Sequence, residues 1–227
     1  MNDTELTTVT IEPPGQATAA IIWMHGLGAN AHDFEPIVPH LRIPPELGLR
    51  FVFPNAPQRP VTINGGYVMP AWYDILSLGL NRSEDASGIQ QSEQAIQTLI
   101  RREQQRGIAS DRILLAGFSQ GGAMALHTGL RYPDPLGGIL ALSCYIPLAD
   151  TLAAERQAAN QALPIFMAHG RFDDVVAFQL GQAGAEQLRQ LGYQPEWHDY
   201  PMRHEVNMDE INDIGAWLRR TLSTPTD

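Results

Sequence analysis

The segment Arg112-Ile113-Leu114-Leu115-Ala116-Gly117-Phe118-Ser119-Gln120-Gly121, continued by Gly122-Ala123-Met124-Ala125-Leu126, decides the fold. Residues 112–116 form a short apolar run, which reads as a strand covered on both faces, and the run after Gly121 is compatible with a helix. Between them lies a G-x-S-x-G pattern in the strand-to-helix context that such a turn requires. Glycines two positions either side of Ser119 leave room for the neighbouring strand and helix, while the serine sits in a strained turn with its hydroxyl projecting. The helix start also offers free backbone amides to a developing negative charge.

Working outward, similar apolar runs recur at Ala19 to Met24, Leu49 to Phe53, Gly138 to Leu142 and Pro164 to Ala168, with a more polar, edge-like candidate at Glu196 to Tyr200. Helical patterns separate them: Ile89, Ile96, Leu99 and Ile100 repeat at helical spacing, and Val175 to Leu191 and Val206 to Leu222 carry comparable apolar faces. This alternation predicts an α/β fold with a mostly parallel central sheet and helices on both faces. Val9 with Ile11 suggests an added antiparallel strand at the beginning. At 227 residues and 44% apolar content, with no internal repeat or linker, residues 1–227 read as a single domain. One connection is long. From Pro54 to about Ser83 it carries prolines, Gly65-Gly66 and the aromatics Tyr67, Trp72 and Tyr73, and it is expected to lie over the strand ends where ligands bind in open α/β sheets.

Composition excludes several function classes. A formal charge of -10, with the arginines scattered, disfavours nucleic acid and anionic lipid surfaces. All fifteen basic residues are arginine, so no lysine is present for a Schiff base, a P-loop or a kinase site. Cys144 stands alone, which leaves no intramolecular disulfide and no structural zinc cluster, and fits a buried thiol in a reducing cytoplasm. The acidic start Met1-Asn2-Asp3-Thr4-Glu5-Leu6 lacks the pattern of an export signal. No apolar run approaches the ~20 residues that span a bilayer, the longest being Gly137 to Ala149 with Pro147 inside it. There is no H-E-x-x-H and no Cys/His ligand spacing, so no metal is expected.

A serine hydroxyl needs a base, and in a chain of this pattern the partners follow in the order serine, acid, histidine. Of seven histidines, His25, His32 and His40 precede Ser119, His127 lies on a face that reads as core, His198 sits inside the last strand candidate, and His169 comes before the available acids. His204 remains, in the loop Pro201-Met202-Arg203-His204-Glu205 between the last strand and the final helix. Two carboxylates, Asp173 and Asp174, stand in the turn after Pro164 to Ala168. Asp174 directly precedes a helical run and suits a helix cap, which favours Asp173 as the acid that orients the imidazole. The backbone amides of Gln120 and of Leu27, in the turn His25-Gly26-Leu27-Gly28, are the expected oxyanion donors.

With these residues assembled, the sequence resembles the carboxylesterase and acyl-protein thioesterase (lysophospholipase-like) family, in particular its bacterial carboxylesterases. The resemblance runs through His25-Gly26-Leu27-Gly28, Phe53-Pro54-Asn55-Ala56-Pro57, Ala71-Trp72-Tyr73-Asp74-Ile75, the Ser119 turn, the Asp173 turn and the His204 loop, and so covers nearly the whole chain. It implies a lid-poor α/β-hydrolase with Ser119, Asp173 and His204 as catalytic residues, Leu27 and Gln120 as oxyanion donors, and Trp72 and Tyr73 lining an acyl pocket. It also implies no cofactor, and a homodimer. Short to medium acyl esters are the first expected substrates, acyl-protein thioesters or lysophospholipids the alternative, and a catalytically inactive binding module the distant one. One departure stands out: Arg203 occupies a position where the resemblance leads one to expect glycine before the histidine. If that position needs positive φ, arginine is strained there, and its charge beside His204 disfavours the imidazolium; on that reading Arg203→Gly raises activity.

Overall fold

The sequence-predicted strands all form. The computed structural model describes residues 6–77 and 83–223. In it β1 (Thr8–Ile11), β2 (Ala19–Met24) and β3 (Leu49–Pro54) are followed, after the long connection, by β6 (Ile113–Phe118), β7 (Gly138–Leu142), β8 (Ile165–Gly170) and β9 (Glu196–Tyr200). These seven make one sheet in the order β1-β3-β2-β6-β7-β8-β9. All neighbours are parallel except β1, which runs antiparallel to β3 with Val9 opposite Phe53 and Ile11 opposite Phe51.

Strand periodicity explains why the sheet needs cover on both sides. Along β2, Ala20, Ile22 and Met24 point into one core and Ala19, Ile21 and Trp23 into the other. The first core is closed by α1 (Ala86–Gln105) through Ile89, Ile96, Leu99 and Ile100, by α2 (Gln120–Arg131), by α3 (Ala149–Glu155) through Leu152, and by α4 (Phe178–Gln190) through Ala185 and Leu188. The second is closed by α5 (Met208–Ser223) through Ile214, Trp217 and Leu218, together with Phe34 and Leu41 around a 3-10 turn. No helix among the described residues is long and apolar enough to cross a membrane.

Two local expectations need correction. The long connection is not loop throughout: β4 (Gln58–Val61) and β5 (Tyr67–Pro70) pair as an antiparallel ribbon around Gly65 and Gly66, both at positive φ. Pro60 and Pro70 hide these strands from a sequence reading, because proline is tolerated only where a strand has a free edge. The end of this connection, residues 78–82, lies outside the described residues. The helix expected from Val175 begins only at Phe178, since residues 175–177 are still in the turn that Asp173 organises.

Strand order fixes where chemistry can occur. The chain steps from β2 outward to β3 and then returns to the other side of β2 with β6, so the connections leave β2 and β6 in opposite directions. Beyond the carboxyl ends of such a strand pair a crevice opens. Met24 and Gly117, at the ends of β2 and β6, are in register, so the turns that follow them emerge side by side.

At the start of α5 the Asn207 side chain accepts the Glu210 N–H at 2.9 Å, the spacing of a capping box. The Glu210 side chain is wholly buried and neither carboxylate oxygen has a hydrogen-bond partner among the described residues. Burial, with the charge of Asp213 added and the Asn207 backbone opposing, pushes its carboxyl up to about 8. A carboxyl raised in the folded state contributes stability that is complete below its unfolded value and is lost as pH rises through the folded one. Glu210→Gln keeps a residue suited to the cap and cannot ionise. Its Tm should match that of the native protein at pH 4 and exceed it at pH 9, by ~2–4 °C for each kcal/mol of ionisation cost removed. An offset independent of pH sinks this account.

Candidate active site

Ser119 caps the N-terminus of α2 with φ 55° and ψ −119°, a conformation that a residue with a Cβ rarely adopts. It is held there by its own N–H, which donates to the Leu142 carbonyl at 2.8 Å, and by its carbonyl, which accepts the Ala123 N–H at 3.0 Å. The flanking glycines are required by space. A Cβ on Gly117 would stand 2.2 Å from the Gly121 backbone, and one on Gly121 would stand 2.2 Å from the Met24 carbonyl oxygen. The elbow therefore packs backbone to backbone against the end of β2. Gly26 completes the approach, since a Cβ there would lie 3.5 Å from the Ser119 Cβ. Ser119 itself stays half-buried, within reach of a substrate.

Asp173 and His204 come from different loops that are laced together by backbone bonds. The Arg171 and Phe172 amides donate to the Tyr200 and Met202 carbonyls at 2.8 and 3.0 Å, and Gly170 lies so near the second loop that a Cβ would fall 2.2 Å from the Arg203 carbonyl oxygen. His204 Nδ1 then lies 2.7 Å from Asp173 Oδ2, which fixes Nδ1–H as the donor and leaves Nε2 unprotonated in the neutral ring. The His204 ring packs on Phe118, the residue before Ser119, with centroids 4.6 Å apart.

The carboxylate is fully engaged. Oδ1 accepts the Val175 and Val176 amides at 2.9 and 2.8 Å, while Oδ2 faces His204 and also His169, whose Nε2 lies 3.3 Å away and 2.8 Å from the Val176 carbonyl. Burial pushes the Asp173 carboxyl up, but the hydrogen bonds from His169, His204 and Val176 and the charge of His204 outweigh it and hold it well below the usual carboxylate range. His169, set aside on sequence order as a base, is thus a neighbour of the acid. Asp174 is not the helix cap expected of it. The helix starts only at Phe178, with Ala177 before it and no side-chain cap; Asp173 closes the preceding turn on the Val175 and Val176 amides, and Asp174 is exposed.

The Leu27 and Gln120 residues follow β2 and β6 side by side, and Gln120 opens α2 so that its amide is one of the free first-turn donors. The aromatic pair sits elsewhere than expected. Trp72 is fully buried and Tyr73 nearly so, inside the first core, so neither presents a face to an open acyl pocket. Their polar groups bond inward instead, Tyr73 to Tyr145 at 2.8 Å between hydroxyls. Cys144 is also buried, and burial pushes its thiol up, away from nucleophilic chemistry. Concavity alone misleads in this fold: a cavity of about 410 Å³ opens at the opposite ends of the strands, beside Arg112, Gly137, Pro164 and Trp217. Among the described residues no group of three or more His, Cys, Asp or Glu side chains is placed to hold a metal.

Arg203 does not strain the histidine loop. The described non-glycine residues with positive φ are Arg42, Ser119, Ser143 and Leu148, so the backbone argument for glycine at 203 fails. The guanidinium is three-quarters exposed and lies 3.6 Å from Asp174, which screens it from His204. Arg203→Gly should accordingly leave kcat/KM for any turned-over ester within about threefold of the native value, since an exposed ion pair is worth under ~1 kcal/mol. A rise of tenfold or more restores the view that arginine hinders this site.

The chain is similar to known proteins over nearly its whole length. The model of the phospholipase/carboxylesterase family matches residues 6–222. Acyl-protein thioesterase 1 of Gibberella zeae is 38% identical over 231 residues, with 98% of each chain covered. Acyl-protein thioesterase 1 of Neurospora crassa is 39% identical over 219 residues, covering 92% of this chain and 89% of the relative. The crystal structure of Zea mays acyl-protein thioesterase 2 superposes with a TM-score of 0.86 at 27% identity, covering 96% of this chain and 99% of that one. The chain is an α/β-hydrolase and belongs to the phospholipase/carboxylesterase family of hydrolases.

Proposed function

We propose that this protein is an acyl-protein thioesterase that works through Ser119, His204 and Asp173. The observation that carries the mechanism is the Asp173–His204 hydrogen bond of 2.7 Å beside a serine held at φ 55°. The relatives carry the substrate class: those named acyl-protein thioesterase 1 match at 36–39% identity over 90% or more of this chain. This reverses the order of the sequence reading, which put short and medium esters first; carboxylesterase activity remains the second reading, supported by the family description alone.

In this reaction Ser119 Oγ attacks the thioester carbon as its proton passes to His204 Nε2. The bond to Asp173 stabilises the imidazolium that forms, and the Asp173 carboxylate keeps its charge throughout. Negative charge gathers on the former carbonyl oxygen, which the Leu27 and Gln120 amides stabilise, each donor typically worth ~2.7–4 kcal/mol. Collapse breaks the carbon–sulfur bond and His204 gives its proton to the leaving thiolate; water, deprotonated by His204, then attacks the acyl carbon, the bond to Ser119 Oγ breaks, and His204 returns the proton to Oγ as the fatty acid leaves. Cysteine leaves more readily than an alcohol because its thiol ionises near pH ~8.5. A cytoplasmic setting, where protein thioesters on cysteine are accessible, completes this reading.

The test is a pair of substrates with the same acyl chain, one an S-acyl cysteine peptide and one the same peptide O-acylated on serine, each turned over by native protein and by Ser119→Ala. The thioester should show the higher kcat/KM, and Ser119→Ala should lower both rates by at least ~10³-fold. A higher kcat/KM for the ester moves the protein to the carboxylesterase reading. Undiminished hydrolysis by the alanine variant sinks the serine mechanism.

A further inference from the structure

Two oxyanion donors that belong to different elements must be held at a fixed separation by something. One is on the turn after β2, the other at the start of α2, and both amides have to reach ~2.7–3.1 Å from a single oxygen atom. Trp72 touches both elements. Its main-chain N–H donates to Gln120 Oε1 at 2.9 Å, Gln120 Nε2 donates to the Tyr73 carbonyl at 2.6 Å, and its indole Nε1–H donates to the His25 carbonyl at 2.9 Å. The indole also packs against the His25 ring, with centroids 5.5 Å apart. From behind, the Ser92 hydroxyl of α1 donates to the Trp72 carbonyl.

The network is buried and its chemistry is specific. Gln120 is 3% exposed and uses its amide as donor and acceptor at once, a pattern a carboxylate cannot supply. His25 is buried as well; its Nε2 accepts the Ala56 N–H at 3.0 Å, so Nδ1 carries the proton and donates to the Gly26 carbonyl at 2.7 Å. Burial lowers the His25 pKa, in keeping with that neutral ring, against the opposing Gly26 carbonyl and Asp33 charge. The turn bearing Leu27 is therefore gripped at His25 and Gly26, and the residue bearing the second donor is gripped by its own side chain.

We propose that Trp72 is a positioning residue that sets the separation of the Leu27 and Gln120 amides, acting through His25 and through the Gln120 side chain without touching substrate. This rests on the serine mechanism above. A misplacement of about 1 Å at a reacting centre can cost ~10²-fold, so loosening one grip should be felt in the transition state more than in substrate binding.

Trp72→Phe keeps an aromatic ring and removes the indole N–H; Ser92→Ala removes only the bond from behind and leaves almost no cavity. Each is measured for kcat, KM, Tm and affinity for an alkyl boronic acid, whose tetrahedral serine adduct places an oxygen between the two amides. The expected result is kcat lower by ~10–100-fold for Trp72→Phe and by less for Ser92→Ala, KM within about twofold, and boronate affinity falling in parallel with kcat. If Trp72→Phe does not fold, Ser92→Ala alone must show the parallel loss. Unchanged kcat in folded variants, or a kcat that tracks Tm while boronate affinity holds, overturns the proposal. Failure of the serine mechanism itself looks different: Ser119→Ala then retains native activity and native protein binds no boronate, which overturns both.

Discussion

Gly121 approaches the end of β2 so closely that no side chain fits between them, and the site depends on that approach. The 2.2 Å that would separate its Cβ from the Met24 carbonyl oxygen means that β6, the serine turn and α2 are wedged against β2 without intervening atoms. Ser119 is forced to φ 55° by the wedge, and the strain is sustained because its N–H and carbonyl are both bonded to neighbouring structure. The same wedge brings Gly26 within van der Waals reach of the Ser119 Cβ, so the turns bearing Leu27 and Gln120 become one surface.

The other half of the site is built by a different device. The turns after β8 and β9 carry no strained residue at the reacting positions; they are joined by main-chain hydrogen bonds from Arg171 and Phe172, which bring Asp173 and His204 together. Asp173 divides its labour, with Oδ1 closing its own turn on Val175 and Val176 and Oδ2 holding His204 and facing His169. Because both oxygens accept hydrogen bonds, the carboxylate remains charged despite burial, and the imidazole keeps one orientation. Arg203 is a bystander in this arrangement, its charge turned outward to Asp174.

Buried polar residues around the site serve geometry more than reaction. Trp72, Tyr73, Gln120, Ser92 and His25 exchange hydrogen bonds within a dry region, where an unmatched group is costly and a matched network specifies one arrangement. Glu210, at the start of the helix that follows the His204 loop, is by contrast a buried carboxyl neither of whose oxygens has a partner among the described residues.

Sequence by itself determined the sheet and its cover, and singled out the residues of the candidate site. Continuous apolar runs as short as Ala19–Met24 suit strands buried on both faces, and the order Ser119, Asp173, His204 on the turns after β6, β8 and β9 left few alternatives. The β4–β5 ribbon was hidden by its prolines, because propensity does not register a strand whose only partner is its own return. Tertiary structure alone decided what Trp72, His169, Asp174 and Arg203 do. Exposure, backbone φ and hydrogen-bond partners arise from segments far apart in the chain, such as Trp72 with His25 and Gln120, and no local pattern of residue types encodes them.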